Sequence, residues 1–142
     1  MSNKNAYNIL FTGWLIALIA SLGSLFFSEI MEFVPCTLCW YQRVFMYPLV
    51  FIFFVSIYKI EKNILLYAGP LIIIGWIFSF YHNLVQLKII PEEASPCVQG
   101  IPCSIKYINW LGFITIPALS LFAFTLLIIT MIVFYRRVYH EK

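Results

Sequence analysis

Four cysteines carry the chemistry open to this sequence. Cys36-Thr37-Leu38-Cys39 is a CxxC pair, and Cys97 and Cys103 stand in Pro96-Cys97-Val98-Gln99-Gly100-Ile101-Pro102-Cys103. Two cysteines three apart on the first turn of a helix approach closely enough to bond. Unpaired backbone N–H groups and the helix dipole at that end favour the thiolate, which is the reactive form. Arg43 follows Cys39 by one turn on the same helical face and adds a positive charge. In the second pair, Gly100 and two prolines suit a tight loop able to close a disulfide. A loop that small removes little chain entropy from the unfolded state, which favours an exchangeable bond over a staple. Together these features point to thiol–disulfide exchange. Three other readings stay open: two structural disulfides, a four-cysteine zinc site, and Arg43 as a lipid-interface anchor. Zinc usually takes two short CxxC-like knuckles, and the second pair is spaced too widely for one.

His82 and Gln86 are four apart and share a face near the end of a long apolar run. A histidine at that depth can hydrogen-bond a ligand carbonyl or supply a proton. The alternative is an interfacial histidine facing lipid headgroups or water.

The elements that must position these residues are membrane spans. The chain has 142 residues, of which 63% are hydrophobic and 11% charged, with a mean hydropathy of +0.92. Soluble domains carry about twice that charge. The net charge of +3 is too small to argue for nucleic acid. Runs free of Asp, Glu, Lys and Arg cover Tyr7–Phe27, Val44–Tyr58, Ile64–Leu87 and Tyr107–Tyr135. The second lengthens to Trp40–Tyr58 if Arg43 snorkels at its end. A bilayer takes roughly 20 apolar residues, and backbone in hydrocarbon must satisfy its own hydrogen bonds. The expected fold is therefore an all-α four-helix transmembrane bundle in one domain, 1–142, with spans near 7–27, 40–58, 64–87 and 112–135. The first run is too long for a signal-peptide core and has no convincing cleavage site, so it reads as a retained helix.

Four spans put both termini on one side. Lys4, Lys59, Lys62, Arg136, Arg137 and Lys142 then fall together, with Lys88 and Lys106 opposite. The positive-inside rule places both termini in the cytoplasm and the two loops Ser28–Cys39 and Lys88–Lys106 outside. Trp40, Tyr41, Tyr107 and Trp110 stand where an interfacial aromatic belt is expected. All four cysteines lie in the outward loops, on the side where disulfides persist.

The combination resembles the DsbB family of disulfide-generating membrane proteins: four spans, Cys36-x-x-Cys39 opening the second, Arg43 four later, and a second pair before the fourth. Leu38-Cys39-Trp40-Tyr41-Gln42-Arg43, the short Cys97–Cys103 loop and Tyr107–Pro117 look most like its BdbC branch, known from Gram-positive bacteria. The likeness covers nearly the whole chain. It implies a bacterial cell-membrane oxidoreductase that reoxidises an extracytoplasmic DsbA-like or BdbD-like thioredoxin-fold thiol oxidase. The electrons would pass to a membrane quinone, menaquinone rather than ubiquinone, with no metal. By matching, Cys97 forms the mixed disulfide with the partner, Cys103 is its companion, Cys39 lies beside the quinone, and Arg43 belongs to the quinone site with His82 and Gln86. The second loop is much shorter than in relatives that carry a surface helix there, so its details are not carried over.

Two rivals remain. One is a non-enzymatic four-helix scaffold with ordinary disulfides. The other is a small transporter or channel, for which only the spans speak, since no acidic residue lies within them.

Overall fold

The computed structural model describes residues 3–59, 63–97, 100–106 and 114–140. Lys62, Lys142, Tyr107 and Trp110, which entered the orientation and belt arguments, lie outside the described residues. Four long helices form: α1 (Asn3–Leu25), α2 (Thr37–Lys59), α3 (Ile64–Gln86) and α4 (Ile116–Tyr139). A π-helical turn, Phe26–Ile30, extends α1, and a 3₁₀ turn, Glu92–Ala94, lies in the loop before α4. All four helices are long and apolar enough to cross a membrane.

α1 packs on α2, α2 on α3 and α3 on α4, and α4 closes the ring against α1. The core is aliphatic and aromatic, with Leu10, Leu49, Phe53, Ile72, Phe124 and Leu127 fully or nearly fully buried. Apolar residues also cover the outside: Ile19, Phe51 and Leu66 are 67%, 73% and 72% exposed. In water such a surface would aggregate, whereas lipid accepts it. Two glycines set how closely neighbouring helices approach. A Cβ on Gly13 would stand 2.6 Å from the Phe53 ring, and one on Gly75 would strike the Phe124 ring. The Phe53 and Phe124 rings thus lie against bare backbone, the small-residue contact that membrane helices use to gain packing.

The fourth helix starts at Ile116, later than the expected 112, and runs on to Tyr139. Its start is fixed chemically. Thr115 is extended (φ −122°, ψ 163°), its hydroxyl accepts the Ala118 N–H, and Pro117 occupies the first turn, where no N–H is needed. Arg136 and Arg137 therefore lie inside the last turn of α4, where cations suit the helix dipole.

The end of α3 directs the cysteine loop. The Ile89 N–H donates to the Leu84 carbonyl (3.0 Å) and the Lys88 N–H to that of Val85 (3.0 Å), a Schellman closure. Lys88 takes the left-handed position usually held by glycine, at φ 59°. The chain is thereby turned back across the end of the bundle.

Candidate functional site

Cys36 is the residue before α2, and its carbonyl accepts the Trp40 N–H at 3.2 Å, so it caps the helix. Cys39 lies one turn in. Both are free thiols with sulfurs 3.4 Å apart. Cys97 and Cys103 form a disulfide, with Cα atoms 5.7 Å apart. Gly100, at φ 122°, supplies a backbone angle that side chains resist, which lets this loop close.

The fold gathers the two pairs. Cys36, Leu38, Val85, Cys97 and Cys103 form one buried apolar cluster, with Cys39 packed against it. The sulfurs of Cys36, Cys97 and Cys103 lie within 4.8 Å of one another. Several hydrogen bonds dock the loop on α3. Tyr81 Oη donates to the Ala94 carbonyl (3.1 Å), and Gln86 Nε2 donates to that of Ile105 (3.4 Å). The Glu92 carboxylate accepts from both the backbone N–H (3.3 Å) and the hydroxyl (3.0 Å) of Ser104, beside Cys103. Asn83 Nδ2 donates to the Pro117 carbonyl at 2.9 Å and ties α3 to the start of α4.

His82 sits between the pairs. Its Nε2 is 3.7 Å from Cys36 Sγ and 3.2 Å from the Cys103 carbonyl oxygen, and its Nδ1 is 3.0 Å from Gln42 Nε2. With the Gln42 amide donating to Nδ1, the proton rests on Nε2 and faces both Cys36 and Cys103. The hydrogen bond shared by the two sulfurs, with that of His82 second to it, draws the Cys36 thiol down to about 4 against the opposing effect of burial. The lowered thiol favours thiolate at Cys36 in the dithiol state.

On the other side of Cys39 lies a cavity of about 420 Å³ between α1, α2 and α4. Its wall is mostly aliphatic and aromatic, with Ser24, Cys39, Gln42, Arg43, Tyr47 and Ser120 as polar exceptions. Exposed Ile19, Leu119 and Phe122 form part of its rim, so it opens toward the surface that faces lipid. Arg43 reaches across to α1, where its Nε donates to Ser24 Oγ (2.8 Å) and its Nη2 to the Ser24 carbonyl (3.0 Å). The guanidinium lies over the Trp40 ring, 5.4 Å from its centroid. Among the described residues no carboxylate pairs with it. The charge is thus held at the cavity wall by neutral acceptors and a π face and is left available to a ligand.

The structure therefore joins Cys36, Cys39, Cys97, Cys103 and His82, and it sets Cys39 and Arg43 on the cavity. His82 and Gln86, expected at the quinone site, line a second, much smaller cavity with Cys36, Cys39 and Cys103. Their helical face points at the docked loop, a relationship that spacing within α3 alone does not reveal. Sequence reasoning passed over Gln42, Ser24 and Glu92. Gln42 carried a usable signal, since an amide one turn from the CxxC pair in an apolar helix must find a partner.

Residues 6–134 match the family model described as "Disulfide bond formation protein DsbB". Among curated proteins the chain is similar to disulfide bond formation protein C of Bacillus subtilis. The two are 51% identical over 128 residues, covering 90% of this chain and 93% of the relative. The probable disulfide formation protein C of Halalkalibacterium halodurans is 46% identical over 127 residues, covering 89% and 93%. A probable disulfide formation protein of Metapseudomonas resinovorans is 40% identical over 132 residues, covering 92% of each chain. No solved structure matches the chain.

Proposed function

This chain belongs to the DsbB family, as a disulfide-generating, multi-pass membrane protein, and from that premise we propose that it reoxidises an extracytoplasmic thioredoxin-fold thiol oxidase and delivers the electrons to a membrane quinone. The observation that carries this reading is the placement of Cys39. One side of it meets the sulfur cluster, and the other meets a lipid-facing cavity with a cation at its wall.

The donor chain of events uses residues in contact. A thiolate of a DsbA-like or BdbD-like partner attacks Cys97, the Cys97–Cys103 bond breaks, and Cys103 leaves as thiolate. Cys97 and Cys103 are 3% and 2% exposed, so the partner must displace part of the loop to reach them. Cys103 attacks Cys36 of an oxidised Cys36–Cys39 pair, forming a Cys36–Cys103 bond and releasing Cys39 as thiolate at the cavity. The partner's second thiol then resolves its bond to Cys97. The Cys97 thiolate displaces Cys36 from Cys103, which regenerates the outer disulfide and leaves the first pair as a dithiol. His82, with Nε2 beside Cys36 Sγ, stabilises negative charge on that sulfur during these steps.

The cavity fits a quinone ring. Its volume lies within the roughly 300–1,000 Å³ of small-molecule sites, it is mostly apolar, and it opens to lipid. Cys39 and Arg43 would hold such a ring, and a bound quinone supplies a two-electron, two-proton acceptor, which exchange among thiols alone lacks. Arg43 favours negative charge at the cavity wall, and Ser24 orients it. We assign the cysteine loops to the extracytoplasmic side, both termini to the cytoplasm, and menaquinone as the preferred acceptor on the likeness to Gram-positive relatives.

The test is a coupled assay in lipid with a reduced thioredoxin-fold oxidase and a short-chain quinone. Partner disulfide and quinol should form together. Loop disulfides that no such partner reduces under mild conditions would instead favour the structural scaffold.

A further inference from the structure

We propose that the dithiol form of Cys36 and Cys39, with His82, is a tetrahedral binding site for a thiophilic divalent cation, zinc in the first instance, and that disulfide formation abolishes it. Sequence spacing argues only against a four-cysteine site. The fold replaces the missing thiols with an imidazole from another helix.

The geometry carries the proposal. Zinc bonds thiolate sulfur at about 2.3 Å and imidazole nitrogen at about 2.0–2.1 Å, so tetrahedral edges are about 3.8 Å between two sulfurs and about 3.6 Å between sulfur and nitrogen. Here Cys36 Sγ is 3.4 Å from Cys39 Sγ and 3.7 Å from His82 Nε2. All three donor atoms lie within 4.8 Å of one another. For a cation at their common centre those two edges shift by a few tenths of an ångström, and the third, from Cys39 to the imidazole, closes from no more than 4.8 Å. The outer partner is also present. Gln42 holds Nδ1 at 3.0 Å, and turning its amide to accept from Nδ1–H frees the Nε2 lone pair for the metal. Cys36 is buried and Cys39 half-buried, so little water competes for the ligands.

Binding expels the Cys39 thiol proton and the Nε2 proton returns on Nδ1, so no electrons move. Three protein ligands leave a fourth position open. The oxidised pair offers no thiolate, so the site exists only in the state that follows delivery of electrons to Cys36 and Cys39. A metal held there blocks their reoxidation. That consequence rests on the proposed relay, but the binding itself does not.

The experiment titrates Co²⁺ into the purified, detergent-solubilised full chain, once with all thiols reduced and once with both pairs oxidised. The reduced chain should take up a single equivalent, with a thiolate-to-cobalt charge-transfer band and tetrahedral ligand-field bands that Zn²⁺ abolishes. The oxidised chain should show neither. Cys36→Ser and His82→Ala should each weaken binding by more than the roughly 10–100-fold that Gln42→Ala, an outer partner, should cost. Cys39→Ser is nearly isosteric and should weaken binding likewise; it keeps the test decisive if His82→Ala does not fold, because it spares the neighbouring Cys36, Cys97 and Cys103 cluster. Absence of the charge-transfer band in chain with four free thiols would overturn the proposal. So would tight binding that survives Cys36→Ser, because it would place the metal on other groups. No quinone or partner is used, so failure here is separate from failure of the relay.

Discussion

Cys36 Sγ lies 3.7 Å from His82 Nε2, and the same nitrogen lies 3.2 Å from the Cys103 carbonyl. One imidazole on α3 thus bridges the Cys36 sulfur, at the start of α2, and the backbone of Cys103 in the loop before α4. This contact makes two cysteine pairs far apart in sequence into one site.

The first prediction concerns Cys36. Its thiol is lowered to about 4, chiefly by the hydrogen bond it shares with Cys39 and then by His82. A lowered value means that thiolate dominates above it and is lost as pH falls through it. In the dithiol chain, alkylation of Cys36 should stay nearly flat from neutral pH down to about pH 5 and then decline. Cys39→Ala removes the main cause and should move the decline upward, toward ordinary thiols at about 8.5. Mass spectrometry of alkylated peptides across pH measures both.

A second prediction separates Arg43 from the sulfur cluster. Arg43 faces the cavity and is anchored to Ser24 on α1, away from Cys97 and Cys103. Arg43→Ala should weaken quinone use by about 10–100-fold, the range for losing a charged hydrogen bond of roughly 1.5–3 kcal/mol. Reduction of the Cys97–Cys103 disulfide by a partner should stay largely intact. Quinone-dependence curves and gel-shift trapping, run on the same variant, read the two halves. If both were unchanged, Arg43 would be reduced to an interface anchor.

The third prediction tests the packing that holds the site. Gly75 faces the Phe124 ring across α3 and α4, with no room for a Cβ. Gly75→Val should destabilise the bundle by about 1–3 kcal/mol, the usual range for overpacking. Gly69 has open space around it, so Gly69→Val should have far less effect. Thermal unfolding in detergent compares the two, and equal losses would remove the ring-over-glycine contact from the account.

Lys88 supplies a fourth. It closes α3 at φ 59°, where a side chain is disfavoured by about 1–2 kcal/mol and glycine is not. Lys88→Gly should raise the melting temperature while leaving disulfide exchange unchanged. A fall would mean that the lysine side chain makes a contact outweighing its backbone strain.

Much of this was legible in the sequence for physical reasons. Runs without charge have to be helices in lipid, so the four elements followed from where Asp, Glu, Lys and Arg are missing. Cys36 and Cys39 were legible because the pair and Arg43 span the cap and first turns of one helix, whose geometry is regular. The start of α4 was not, because Thr115 and Pro117 interrupt an apolar run without any charge to mark the boundary. His82 and Gln86 are legible as a polar pair on one face of α3, but their contacts are not: the Cys103 and Ile105 carbonyls arrive from a loop about twenty residues later, turned back at Lys88. The sequence offers the helix end to both thiols and Arg43 to Cys39; the contact of Cys36 with His82, which comes from another helix, is not legible from spacing within α2.

Cys39 is the proposed exit from the sulfur cluster to the cavity. The most direct measurement is a single-turnover reaction of Cys39→Ser in lipid, with reduced thioredoxin-fold partner in excess and quinone present. The partner should open the Cys97–Cys103 disulfide once and then stop, with no quinol formed. Sustained quinol production by this variant at the rate of the unaltered chain would contradict the route.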